Sequence, residues 1–175
     1  MLRLGALGYR SVAVDLYGGK SATSHEEAVK LMQSVDRKPT DQILQAGLDY
    51  LKHPGRKVAT IGFSMGDQES LNATLNDPEE ASATVMIYGS GVDKIDIKGL
   101  EKLKCPVLVI TGGEDTGATQ AAINFLSNMK EAKRPYEMHS SIRVRTTVMR
   151  SHSSVEERIT TPTRPHNLGH RRGFY

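Results

Sequence analysis

Three features of the sequence predict an α/β fold on a doubly wound, mainly parallel sheet. Short apolar runs alternate with longer amphipathic stretches between residues 10 and 139. The run from Pro106 to Thr111 has almost no polar alternation, as strands covered on both faces do. A strand also runs directly into the turn Gly62-Phe63-Ser64-Met65-Gly66, with a helix signal behind it.

The elements follow in order. Ser11-Val12-Ala13-Val14 is a short apolar strand, closing at Asp15-Leu16-Tyr17-Gly18-Gly19. Thr23 and Ser24, with Glu26 and Glu27 three residues on, offer capping boxes for a helix through Met32. Pro39-Thr40-Asp41 restarts a helix with Ile43, Leu44, Leu48 and Leu51 on one face, and Gly55 follows its end. Lys57 to Ile61 is the next strand, and a helix runs from Met65 towards Leu75. Thr84 to Tyr88 is a strand ending at Gly89-Ser90-Gly91. Pro106 to Thr111 follows, then an amphipathic helix from Gln120 to Ala132, then a strand starting at Tyr136-Glu137-Met138-His139. Beyond His139 no period is sustained, so residues 140–175 are expected to be an irregular tail after a folded domain of residues 1–139.

Composition narrows the function classes. The 175 residues are 38% hydrophobic and 25% charged, as in a soluble globular domain. No apolar run approaches the length of a membrane span. The N-terminus lacks a signal-peptide pattern. The single Cys105 cannot form an internal disulfide, which fits a reducing, cytoplasmic setting. Residues 1–139 carry 16 Lys+Arg against 18 Asp+Glu, whereas residues 140–175 carry 7 Arg and two acids. That basic tail has no aromatic residue before Phe174 on which bases could stack, so nucleic acid is not the expected partner.

The turn at residues 62–66 carries the chemistry. A serine in a sharp strand-to-helix turn is lifted into solvent at the C-terminal edge of a sheet, and G-x-S-x-G leaves the backbone room to do so. Ser64 is the expected nucleophile. The Met65 N–H, at the start of the helix, is the expected oxyanion donor. Asp115, beyond the strand of residues 107–111, stands where a triad acid belongs in the order Ser, Asp, His; Glu114 competes with it, and a plain helix cap is the structural alternative.

The sequence resembles the dienelactone hydrolase family of α/β-hydrolases. The matching text is Leu7-Gly8-Tyr9-Arg10, Asp15 to Lys20, the serine turn, Tyr88-Gly89-Ser90-Gly91, Pro106 to Asp115, and Pro135 to His139. The resemblance implies a partial α/β-hydrolase fold and cleavage of esters or lactones without metal or organic cofactor. Ser64 takes the place where the original members use cysteine. An arginine that some members carry after the Asp-Leu-Tyr motif is replaced by Gly18-Gly19-Lys20, which argues against carboxylate-bearing lactones. Asp67 stands where a glycine is usual, close enough to Ser64 to disfavour an oxyanion.

Two departures bear on activity. The chain begins inside the family pattern, so the loop giving a second oxyanion donor is expected to be missing; one such donor is worth about 100- to 1000-fold in rate. The family's Gly-Ala-x-His-Gly motif, which carries the general base, is also absent after His139. Residues 142–154 can be encoded by DNA that, read one base earlier, gives Tyr-Pro-Gly-Ala-Asp-His-Gly-Tyr-Ala-Gln-Pro-Leu-Phe. That is the family continuation, with its histidine across the codons of Thr146 and Thr147. The tail is therefore expected to be a frameshifted reading of a hydrolase C-terminus. His139 does not match the base, and His152, His166 and His170 lie in the tail, so a serine without a positioned base is a weak nucleophile.

Two other local patterns lack residues that their sites require. Gly18-Gly19-Lys20-Ser21 lacks the earlier glycine of a phosphate loop, with Val14 in its place. His166 and His170 have no third metal ligand. The leading expectation is a serine hydrolase acting on a small-molecule ester or lactone. The alternative is a catalytically inactive remnant or binding protein with a basic tail.

Overall fold

A computed structural model describes residues 2–89 and 95–141 of the chain. Four parallel strands form one sheet in the order β1-β2-β3-β4. They are β1 (Val58–Phe63), β2 (Ala81–Ile87), β3 (Val107–Gly112) and β4 (Tyr136–Ser141). The helices are α1 (Leu2–Ala6), α2 (His25–Gln33), α3 (Arg37–Leu51), α4 (Met65–Asn76), α5 (Ile97–Leu100) and α6 (Thr116–Glu131). The parallel α/β architecture expected from the sequence is the one observed.

Local sequence explains the helix starts. Ser24 accepts the Glu27 N–H, while the Glu27 carboxylate takes both the N–H and the hydroxyl of Thr23. Asp36 caps α3 and Asp96 caps α5 through side-chain oxygens. Gly55 closes the α3–β1 connection at φ 78°, where a side chain would be strained.

Packing on one face of the sheet holds α4 and α6 in place. Leu71 of α4, Met86, Val107 and Val109 of the sheet, and Phe125, Leu126 and Met129 of α6 form one buried cluster with Leu100 and Leu103. Burial of side chains this size contributes about 1.5–3 kcal/mol each. A second cluster joins Leu44 and Leu48 of α3 to Val58 and Ala73. Between the two, the hydroxyls of Thr60, Thr74 and Thr84 bond one another at 2.6–3.3 Å, and Thr74 also donates to the Ser70 carbonyl. This polar set, with Thr74 and Thr84 fully buried and Thr60 partly so, fastens α4 to β1 and β2 below the serine turn. The alternate residues on the other face are less covered: Ile61 and Phe63 are about half exposed.

One expected strand is absent. Ser11 to Val14 has no ladder and runs as irregular chain. Val12 and Ala13 are exposed, and the packing starts at the end of the run. Val14 and Leu16 join the α3 cluster, and Val14 fills the space left open by Gly47, where a Cβ would come within 2.8 Å of it. So short a run does not specify a ladder, and α3 gives partial cover to Val14 alone among residues 11–14. The short helices α1 and α5 carry no strong periodic signal and were not anticipated. The expected end of the folded part at His139 is corrected as well: β4 continues through Ser140 and Ser141, which pair with Thr111 and Gly112. Ser90, Gly91 and the rest of the expected tail, with the frameshift reading and His152, His166 and His170, lie outside the described residues.

Candidate active site

Ser64 sits between β1 and α4 with φ 54° and ψ −120°. This left-handed backbone is strained for a residue with a Cβ and costs on the order of 1–3 kcal/mol. The strain is held by neighbours. The Ser64 N–H donates to the Ile87 carbonyl of β2 at 2.9 Å, and the Asp67 N–H donates to the Ser64 carbonyl at 3.0 Å. Ser64 itself is exposed. Only one of the two flanking glycines is sterically required. A Cβ on Gly62 would collide with the Gly66 carbonyl, whereas a Cβ on Gly66 would meet nothing within 4 Å. The expectation that both make room is corrected to Gly62 alone.

Met65 opens α4, so its N–H belongs to the first turn, where helix amides face outward and favour negative charge. Its side chain is touched by a residue the sequence reading left without a role: the Tyr17 hydroxyl lies 3.5 Å from Met65 Sδ. Asp15 shapes that approach. Its carboxylate accepts from the Tyr17 N–H at 2.9 Å and the Gly19 N–H at 2.5 Å, which lowers its pKa. Gly18 and Gly19 take positive φ in the same loop.

Asp67 is buried, one turn into α4. Its two oxygens accept from the backbone N–H groups of Ile87 and of Gly89, the latter at 2.6 Å. Burial raises its pKa from 3.8 to about 6, against the two N–H bonds that lower it. The acid beside the serine turn is thus occupied in joining α4 to the end of β2. The sequence signals only that an acid stands where a glycine is usual; the two N–H partners lie far along the chain.

Asp115 follows β3, at the same C-terminal edge of the sheet as Ser64. It is half-buried and caps α6, with Oδ1 accepting the Ala118 N–H at 3.0 Å. Glu114 beside it is exposed. Oδ2 of Asp115 has no hydrogen bond among the described residues. No described histidine bonds to Ser64 or Asp115. His139 lies in β4, in register with Ile110, and pairs with Glu137 at 2.8 Å. Three strand spacings separate that register from β1, roughly 14 Å. Among the described residues no cluster of His, Cys, Asp or Glu could hold a metal, and no helix is long and apolar enough to cross a membrane. A shallow groove of about 440 Å³ lies elsewhere, between Lys20, Ser21, Glu27, Lys30, Leu31 and Ser34.

Known proteins resemble this arrangement. The model of the dienelactone hydrolase family matches residues 2–142. Protein usf of Aquifex pyrophilus is 31% identical over 116 residues, 62% of this chain and 49% of that protein. A putative carboxymethylenebutenolidase of Aquifex aeolicus is 28% identical over the same length. The chain thus spans about half the length of the curated relatives it matches. Among solved structures, a dienelactone hydrolase-like promiscuous phosphotriesterase from metagenomic libraries superimposes with a TM-score of 0.67 at 23% identity, over 79% of this chain and 60% of that one. A dienelactone hydrolase from Anabaena variabilis gives a TM-score of 0.50 at 24% identity, over 69% and 56%. These two likenesses concern the fold. With the family pattern running from the first helix through β4, the chain belongs to the dienelactone hydrolase family.

Proposed function

We propose that the protein is a serine hydrolase of carboxylic esters or lactones, with Ser64 as nucleophile. The observation that carries this reading is the strained, exposed Ser64 at the β1–α4 junction of a dienelactone hydrolase family member. Ser64 Oγ attacks the ester carbonyl and gives up its proton to a base. The Met65 N–H stabilises the oxyanion; its collapse breaks the ester C–O bond, the base returns the proton to the leaving alcohol, and water then cleaves the acyl-enzyme to the acid and restores the Ser64 hydroxyl. Asp115 orients the base through the carboxylate oxygen that α6 does not use. No cofactor enters the reaction, and the buried Cys105 supports a cytoplasmic setting.

A second reading has one observation in its favour. Among the described residues no imidazole reaches Ser64, as in an inactive remnant or binding protein with a basic tail at residues 140–175. One experiment separates the two. A fluorophosphonate probe is expected to label Ser64, and a short-chain p-nitrophenyl ester to turn over, with both lost in Ser64→Ala. An unlabelled chain that is folded by circular dichroism rejects the hydrolase reading.

A further inference from the structure

Two residues with side chains hold a left-handed backbone side by side at the C-terminal edge of the sheet. Ser64 has φ 54° and Tyr88 has φ 50°. They end adjacent strands, and the Phe63 and Tyr88 rings stand 6.2 Å apart above them. A bulky aromatic residue does not keep that backbone unless its surroundings impose it. The Tyr88 N–H itself donates to the Ile110 carbonyl of β3 at 2.8 Å, and one carboxylate holds the amides on either side. Asp67 takes the N–H of Ile87 on one side of Tyr88 and the N–H of Gly89 on the other. Gly89 lacks a side chain for the same reason: a Cβ there would enter the Asp67 carboxylate.

The bonds close into a ring. Asp67 holds the Ile87 N–H, the Ile87 carbonyl holds the Ser64 N–H, and the Ser64 carbonyl holds the Asp67 N–H. We infer that Asp67 is a positioning residue for Ser64, clamping the turn after β2 in the strained form that supports the nucleophile. This rests on the reading of Ser64 as nucleophile. Asp67 does not touch substrate. Its two acceptor oxygens match two amide donors, which a side-chain amide cannot do because it presents one acceptor and one donor.

Asp67→Asn therefore tests the clamp while keeping the shape. The time course of fluorophosphonate labelling, followed by intact mass, is expected to reach the wild-type stoichiometry. Its maximal rate should fall about 10- to 100-fold, with the half-saturating probe concentration unchanged. Amide exchange by NMR should quicken about tenfold or more at Ser64, Ile87 and Gly89, and stay unchanged at Val109 and Met138. Labelling at the wild-type rate overturns the inference, as does lower stoichiometry at an unchanged rate, which marks a folding defect alone. Failure of the wild-type chain to label at Ser64 overturns the nucleophile reading instead. The Ser64 amide exchange then still decides whether Asp67 holds the turn: unchanged exchange there overturns the clamp.

Discussion

The two candidate catalytic side chains stand at the same edge of the sheet but are built differently. Ser64 is over-determined. Its backbone is tied to β2, its turn is closed by Gly62, its helix is fastened by buried threonine hydroxyls, and a buried carboxylate braces the next strand. Asp115 is held by one helix cap, with exposed Gly113 and Glu114 before it and exposed Thr116 and Gly117 after it. The difference fits what each must do. A nucleophile must keep one strained geometry before substrate arrives, whereas an acid that orients a base needs one anchored oxygen and one free oxygen.

The comparison breaks most sharply at Gly62. In Gly62→Ala the new methyl meets backbone, the Gly66 carbonyl, which cannot swing aside as a side-chain tip could. The turn must open or α4 must leave the sheet. The expected loss is about 3 kcal/mol or more, measured by urea unfolding, together with loss of probe labelling at Ser64. Gly66→Ala is the control. It adds a methyl to open space within a helix, and should leave stability unchanged or raise it by up to about 1 kcal/mol. If the two variants behave alike, the turn is not the rigid object described.

Asp67 offers a test in pH. A carboxyl whose pKa is raised in the folded chain contributes stability below its unfolded pKa, 3.8, and loses it as pH rises through about 6. Other carboxylates, such as those of Asp15 and Glu27, shift the opposite way, so the raw profile of the wild type is a mixture. Subtracting the profile of Asp67→Asn isolates one group. The stability of Asp67→Asn relative to wild type should grow by about 2 kcal/mol between pH 4 and pH 7. A difference flat with pH would mean that Asp67 titrates normally and is not the desolvated brace seen here.

These features were not equally legible in the sequence. Helix starts at Ser24 and Asp36 are local: a side-chain oxygen and an N–H two or three residues away decide them. The serine turn was legible because Gly62 and Ser64 lie within one pentapeptide. Asp67 was read only as a charge near Ser64, because its partners Ile87 and Gly89 lie 20 and 22 residues on, where no spacing rule reaches. Tyr17 escaped for the same reason, its contact with Met65 spanning 48 residues. The residues 11–14 show the converse error. Their composition suggests a covered strand, but Val12 and Ala13 are exposed and only Val14 packs against α3, because cover depends on a partner the run does not name.

The smallest expected effect concerns Asp115, where structural and catalytic roles coincide in one carboxylate. Removing the cap with Asp115→Ala should cost about 1 kcal/mol, because the Ala118 N–H loses its acceptor. Asp115→Asn keeps a capping oxygen and should sit within a few tenths of a kcal/mol of wild type. Turnover of a p-nitrophenyl ester is expected to separate from stability in this pair. Both variants should be slow if Asp115 orients the base, since the amide lacks the charge that stabilises an imidazolium. If Asp115→Asn retains turnover while Asp115→Ala loses only what its lower stability explains, Asp115 is a helix cap. Glu114, exposed one residue earlier, then becomes the acid to substitute next.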